Sequence, residues 1–405
     1  MNGPESPAAT RSLYLVAAVT MAGVSAVFAL LAELEQRYGL PTSSLGWIAG
    51  SAFIAALVTQ LSLARYADRG HGATLLRVGV VLASAGLIWF GLSTELWQFV
   101  AARSLLGAAV GMIIPPARRV IIVSAGDRQG EKLGMFYAAY LAGFVFGPPL
   151  AGVLTVLFDV RVPFLVLGVA VGATLFSIAR LDIPETPRPL HHEQGPGVGP
   201  NDRRVLRRLI RDRRIMASLL VIFSFRYSIG VFEPLWAVHL DNLGASTLVI
   251  TLSLTGFALP MLIFARRAGA LSDLYGPRLT SLVSAAVTVP LMAGYGYIGS
   301  VPLIMAMAIP HGLMEAIQSP GSQAALAEVA PTEDAAAAQG LGEAAGSAAA
   351  GIGAFTAAPL FATLGPGPAW GIAAIVMAVM LGSSALLDRP VNRRRSTRIP
   401  EPARY

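Results

Sequence analysis

The sequence predicts an all-α polytopic membrane protein with twelve transmembrane helices. Three observations carry that expectation. Charged residues make up 13% of the 405 and hydrophobic residues 55%, with a mean hydropathy of +0.63, whereas soluble domains are about 25% charged. Uncharged apolar runs recur along the whole chain, each near the ~20 residues that cross a bilayer. The arginines fall almost entirely in alternate connections between these runs. The runs are continuous, so the alternating strands of a β-barrel are excluded.

In order, the spans are expected at 13–33, 45–66, 73–94, 97–117, 131–157, 161–180, 214–240, 245–266, 277–299, 301–328, 335–362 and 367–387. The first follows the short polar segment "MNGPESPAATRS" and reads as a span, because no small-residue cleavage site closes it. Two uncharged runs are long enough for two spans each. They divide at "IGSVP" and "LGPGP", where Gly and Pro cluster. An even number of spans puts both termini on one side. Connections on that side hold Arg65, Arg69, Arg118, Arg119, Arg128, Lys132, Arg188, the run from Arg203 to Arg214, Arg266, Arg267, Arg278 and the arginines of the tail. The opposite side holds only Arg37 and Arg161. By the positive-inside rule both termini are cytoplasmic, in a multi-pass protein of the cell inner (plasma) membrane. Topology thus accounts for the net charge of +7 without nucleic acid.

The long polar break at 182–213 divides the spans six against six. Its first part is a flexible linker and "NDRRVLRRLIRDRR" is a basic amphipathic helix on the inner leaflet. The expected units are 1–181 and 214–388, two pseudo-symmetric six-helix bundles, with 389–405 a basic tail. The halves repeat at an offset of about 205 residues: "ARYADRGHG" follows span 2 and "GALSDLYGPR" follows span 8. Parallel halves of this kind are a transporter architecture.

On these residues the chain resembles the major facilitator superfamily, along its whole length. Gly269 to Arg278 looks like that family's signature loop, with Pro277 at one of its two basic positions; the first-half copy around Asp68 and Arg69 is degraded. The resemblance implies a cytoplasmic latch in which Asp273, and Asp68 likewise, pairs with arginine and caps a neighbouring helix, supported by Gly269, Gly276 and Arg278, and which breaks when the protein opens inward. "RSLLGAAVG" looks like the family's fourth-helix motif and implies a part in proton coupling for Arg103; a snorkelling arginine is the plain alternative. "GFVFGPPLAG" is similar to the fifth-helix motif of the proton-driven drug exporters, with Gly143, Gly147, Pro148 and Gly152 at its positions and Ala151 in place of a glycine. Physically, Gly143 and Gly147 form a small-xxx-small face and Pro148 with Pro149 removes two N–H groups, so a close, bent contact between the halves is expected.

Charges inside spans are expensive and functional by default. Arg226 and Glu233 lie seven apart on one face of span 7, Glu315 lies near mid-membrane in span 10, and Glu343 lies near the cytoplasmic end of span 11. With Arg103 they are the candidates for proton coupling, although each acid could equally be an interhelical clamp. Aromatic residues suited to flat hydrophobic or cationic compounds, with a polar neighbour, nominate Tyr137, Tyr140, Phe225, Tyr227, Trp236 and Gln318 for the cavity; Phe144, Phe223 and Phe232 lie near them.

There is no cysteine, no P-loop, no metal-ligand spacing and no soluble stretch for a catalytic domain. The expectation is a secondary transporter and not an enzyme. It uses no cofactor and draws on the proton gradient. It acts as a multidrug-efflux antiporter, a monomer in the lipid bilayer that binds a small-molecule substrate and neither metal nor nucleic acid. A metabolite importer or facilitator on the same fold is the alternative, and a non-transporting membrane sensor a more distant one.

Overall fold

The computed structural model describes residues 7–66, 71–124, 129–179, 200–331 and 334–388. Every regular element among them is helical. They are α1 Pro7–Ala29, α2 Leu31–Tyr38, α3 Leu45–Tyr66, α4 Gly72–Leu92, α5 Leu96–Ser124, α6 Gln129–Leu157, α7 Val162–Ala179, α8 Pro200–Arg211, α9 Arg213–Asn242, α10 Thr247–Tyr275, α11 Pro277–Tyr295, α12 Val301–Val329, α13 Ala335–Leu364 and α14 Pro366–Leu387, with one 3-10 turn at Thr42–Ser44. Among the described residues eleven helices are long and apolar enough to cross a membrane. The remaining long helix, α11, carries Ser281, Ser284 and Thr288. Their hydroxyls donate to Arg278 O, Thr280 O and Ala285 O at 3.0, 2.7 and 2.8 Å. Such back-bonding satisfies polar side chains within the helix itself, which is what a lipid environment demands.

Two boundaries differ from expectation. The first apolar helix ends at Ala29, and 31–38 forms the separate helix α2, closed by Gly39 in the left-handed region at φ 60°. Its polar residues Glu33, Glu35, Gln36 and Arg37 are compatible with the rim and not with a span. At the other end of the bundle α10 continues to Tyr275, so "GALSDLY" is helix and only Gly276, at φ 86°, makes the turn. Asp68 and Arg69 lie outside the described residues. Both expected divisions hold: α11 ends before "IGS" and α12 begins at Val301, while Gly365 at φ 82° separates α13 from α14.

Helices α1 and α3–α7 pack mainly on one another, through the pairs α4–α5, α1–α6, α3–α5 and α4–α7. Helices α9–α14 do likewise, through α9–α13, α10–α12, α11–α12 and α9–α14. The two sets meet along α3–α13 and α6–α10. Helix α8 seats Leu209 in a satellite cluster with Ile215, Leu219 and Ile222 of α9, Leu326 of α12 and Ala338 of α13. Asp212 caps α9 by accepting from the N–H groups of Arg214 and Ile215 at 2.8 and 3.2 Å.

The glycines of α6 set its distance from α1. A methyl on Gly143 would collide with Ala18 O, and one on Gly147 would lie 2.5 Å from Ala22 O. The pair therefore packs backbone against backbone within the first half of the chain, not between halves as expected. Of the three glycines in the cluster, Gly152 faces the second half, against Thr251 of α10. Gly143→Val is predicted to destabilise the protein by about 1–3 kcal/mol through forced separation of α1 and α6. Gly134→Ala, where nothing lies within 4 Å, is the neutral control. Thermal unfolding of both purified proteins in detergent checks this, and equal melting temperatures would contradict it.

Candidate functional site

The helix ends fall into two sets. One end of the bundle has the short connections 30–44, 93–95, 158–161, 243–246 and 296–300, and the other has the arginine-rich connections. Among the described residues, hydrogen-bonded contacts between the two halves of the chain are found toward the short-connection end. At the rim, Thr247 Oγ1 donates to Glu33 Oε1, and Gln36 Nε2 donates to Asp241 Oδ2 at 2.6 Å. Beneath them Arg103 of α5 forms a hydrogen-bonded ion pair with Glu233 of α9, with side chains 2% and 8% exposed. Arg103 is seven residues into α5 and Glu233 nine residues from the end of α9, so each lies about 10–13 Å inside the bundle. Arg103 Nη1 also donates to Val24 O of α1 at 3.4 Å, while its Nε has no partner.

A fourth inter-half contact follows from a proline. Pro149 has no N–H, so α6 leaves the carbonyl of Val145 without its helical donor. Thr255 Oγ1 of α10 donates to that carbonyl at 2.8 Å. Helix α6 is continuous through both prolines. The cluster thus presents a free backbone acceptor to the opposite half.

The sequence pairs Glu233 with Arg226 on the same helix face, and the structure separates them. Glu233 binds Arg103, whereas the stem of Arg226 lies against Gly346 of α13, where a methyl would be 2.9 Å from Arg226 Cγ. Glu315 is 3% exposed. Its Oε1 is 3.3 Å from Ser228 Oγ and 3.6 Å from His311 Nε2, one turn earlier on α12. His311 is fully buried, with Tyr295 Oη 3.1 Å from its Nδ1 and no hydrogen-bond partner at Nε2. The sequence reading missed His311, although its four-residue spacing from Glu315 was a readable signal. It also missed His239, whose Nε2 is 2.8 Å from Tyr295 O.

Of the nominated cavity residues, Trp236 is a core residue in this structure. It is fully buried, donates from Nε1 to Ser253 Oγ at 2.8 Å, and packs on Phe232 and Tyr295 with ring centroids 5.1 and 5.2 Å away. Phe225 and Tyr227 are also buried. Gln318 is 1% exposed with no partner for Nε2. Tyr137 and Tyr140 sit on α6 toward the arginine-rich end, and Arg118 Cζ lies 5.2 Å from the Tyr137 ring centre. Asp273 is exposed on the last turn of α10 and forms no ion pair among the described residues. Arg278 instead pairs with Asp388 and donates to Ser384 O at 3.3 Å. That contact ties α11 to α14 and departs from the latch that the motif implies.

The rim of the short-connection end carries one shifted acid outside the spans. Burial pushes the Glu35 carboxyl above its ordinary range and Asp241 adds to this, while the hydrogen bond from Thr42 opposes it.

Among the described residues, eleven helices long and apolar enough to cross a membrane and an ion pair buried between the two halves of the chain define the class, a membrane transporter. The sequence model described as Major Facilitator Superfamily matches residues 13–241 and 218–404, and the chain belongs to that family. Its members move solutes and are not enzymes, and they need no prosthetic group. Among curated relatives, multidrug resistance protein 1 of Bacillus subtilis is 21% identical over 304 residues, 73% of this chain and 76% of that protein. Multidrug resistance protein MdtG of Salmonella paratyphi A is 25% identical over 244 residues, 57% of each chain. Among solved structures, a point mutant of the nucleoside transporter NupG matches at TM-score 0.79 and 11% identity, covering 94% of this chain and 100% of that one. A bacterial homologue of the human lysosomal transporter Spinster, inward-facing and occupied, matches at 0.78 and 13%, covering 96% and 98%.

Two outcomes are predicted. Glu233→Leu strands a buried guanidinium and is expected to cost about 3–5 kcal/mol, most of which Arg103→Leu in the same chain restores. Thermal melts of the single and double variants measure the coupling, and additive losses would refute it. Glu35→Gln keeps an acceptor for Thr42 and removes the cost of ionising a half-buried acid. A raised folded-state pKa stabilises at low pH and loses that contribution as pH rises. The variant should therefore melt higher than wild type at pH 8 and show no gain at pH 4.

Proposed function

We propose that the chain is a twelve-span, proton-coupled exporter of small hydrophobic compounds, working by alternating access between two six-helix bundles, 1–181 and 214–388. Helix α11 is the twelfth span in this reading. The linker 182–213 and the tail 389–405 lie with both termini in the cytoplasm, and a single chain supplies the whole pathway. The arginine distribution supports that orientation. It makes the short-connection end extracellular, so the state described here is closed outside.

One observation carries the coupling: the buried Arg103–Glu233 pair lies between the halves at the closed end. The pair forms only with the carboxylate ionised. A proton taken up by Glu233 while the outer end is open must pass inward, to a second acid such as Glu315, before that end can close on Arg103; returned outward it would drive nothing. Closure then stands against the return of the empty protein, and bound substrate supplies the energy that parts the pair. Glu315 is the second acid able to take part. Ionised, it accepts from Ser228; protonated, it donates to the same oxygen while Ser228 donates to Phe225 O at 2.7 Å. The exporter assignment rests on the α6 cluster and on relatives named for multidrug resistance.

Substrate-dependent proton release from inverted vesicles tests the coupling. Glu233→Gln and Glu315→Gln are each expected to abolish it with expression intact, and unchanged flux in either removes that acid from the mechanism. A dye and antibiotic panel in a pump-deficient host, with and without a protonophore, tests direction. Protonophore-sensitive expulsion supports export, whereas accumulation of a nutrient supports import.

A further inference from the structure

The partner exchange at Glu233 leaves a cation over. With Glu233 held by Arg103, no carboxylate pairs with Arg226 among the described residues. Its guanidinium is half-buried, and Gly346 lets its stem lie flat on α13. Tyr140 of α6, in the other half, has Arg226, Tyr137, Glu343 and Arg118 as its electrostatic neighbours. Tyr137 has Arg118 and Glu343, and the Arg118 guanidinium covers its ring. Arg118 Nε is buried without an acceptor. Glu343 stands one turn from Gly346 on α13 and likewise makes no ion pair among the described residues. Tyr137 is 39% exposed, so the cluster is reached from the arginine-rich end, opposite the closed one.

Helices α5, α6, α9 and α13, two from each half, thus bring together two guanidiniums, one carboxylate and two phenols. Arginine remains charged in any protein environment. Where water is scarce it is stabilised by a planar oxyanion, which it grips through two parallel N–H bonds. The tyrosine faces suit an aromatic body. Aromatic residues alone, as read in the sequence, allow a cationic cargo; the unpaired guanidiniums favour the opposite sign.

We propose that Arg226 and Arg118 bind the carboxylate head of an amphipathic aromatic anion, with Tyr140 donating a further hydrogen bond and Glu343, the one acid of the cluster, opposing the cargo's charge and so limiting its affinity. This names the substrate class of the proposed transporter. It rests on that reading of the cavity and on neither export nor proton coupling.

Fluorescein, a carboxylate, and rhodamine 6G, a cationic ester, share a xanthene ring and serve as probes. Their fluorescence anisotropy is titrated with the purified full-length protein in detergent. Wild type is expected to bind fluorescein the more tightly. Arg226→Gln should weaken fluorescein about tenfold, the loss of one charge-assisted bond, and strengthen rhodamine 6G by removing a repelling charge. Arg226→Lys should retain part of the fluorescein affinity. Glu343→Gln should tighten fluorescein, a gain that misfolding cannot produce. Preference of wild type for rhodamine 6G, unchanged fluorescein affinity in Arg226→Gln, or no gain in Glu343→Gln each overturns the proposal. Fluorescein binding without protonophore-sensitive efflux would refute export and leave this site standing.

Discussion

A charge buried in a membrane protein is costly unless an opposite charge meets it, and the Arg103–Glu233 pair is where this chain lowers that cost across its own midline. The side chains come from residues 130 positions apart. Once they meet, much else follows. Helix α5 is fixed against α9, and Arg103 reaches Val24 O and draws α1 into the same junction. Arg226 loses the acid nearest to it along α9. Glu315 is left with neutral or switchable neighbours, Ser228 and His311, and not with a permanent cation.

The backbone obeys the same rule as the side chains. Each carbonyl in the apolar layer needs a donor, and Pro149 withdraws one from Val145. Thr255 supplies the replacement from the opposite half. A proline that would merely bend a helix in isolation here creates a polar contact between two helices. The neighbouring glycines have a different task. They let α6 lie on α1 closely enough that a single methyl would not fit. Close packing and a displaced hydrogen bond thus come from one ten-residue cluster, on two faces of one helix.

Much of this was legible in the sequence, because it depends on local pattern. Apolar run length gave the long helices, Gly and Pro gave the two divisions, and spacing placed Arg103, Glu233 and Glu315 inside spans. What sequence could not supply was the partner. Arg226 and Glu233 lie on one face of one helix, so periodicity joins them. Which acid an arginine meets depends on packing between helices, and this set Glu233 against Arg103. The same limit assigned Trp236 to the cavity, since a ring's period says which face it occupies and not whether Phe232 and Tyr295 fill the space before it. The helical course of Gly269–Tyr275 was hidden because Arg266, Arg267 and Asp273 end the apolar run, although no proline lies between Gly269 and Gly276 and the glycine at 269 is tolerated within the helix.

The inter-half contacts are not equal in weight, and their order along the bundle matters. Glu33–Thr247 and Gln36–Asp241 lie at the rim, where water can replace either partner, so parting them costs little. Arg103–Glu233 lies a further helical turn or two inside, where parting two ions without replacement costs several kcal/mol. Opening of this end is therefore governed chiefly by the deeper pair, and anything that neutralises Glu233 acts on the largest single resistance. A proton is the smallest agent able to do so without displacing a helix. Under the proposed mechanism, protonation of Glu233 and closure of this end exclude one another, which links proton binding to conformation. That exclusion requires no mobile wire between distant sites, only one carboxylate that cannot serve both partners at once.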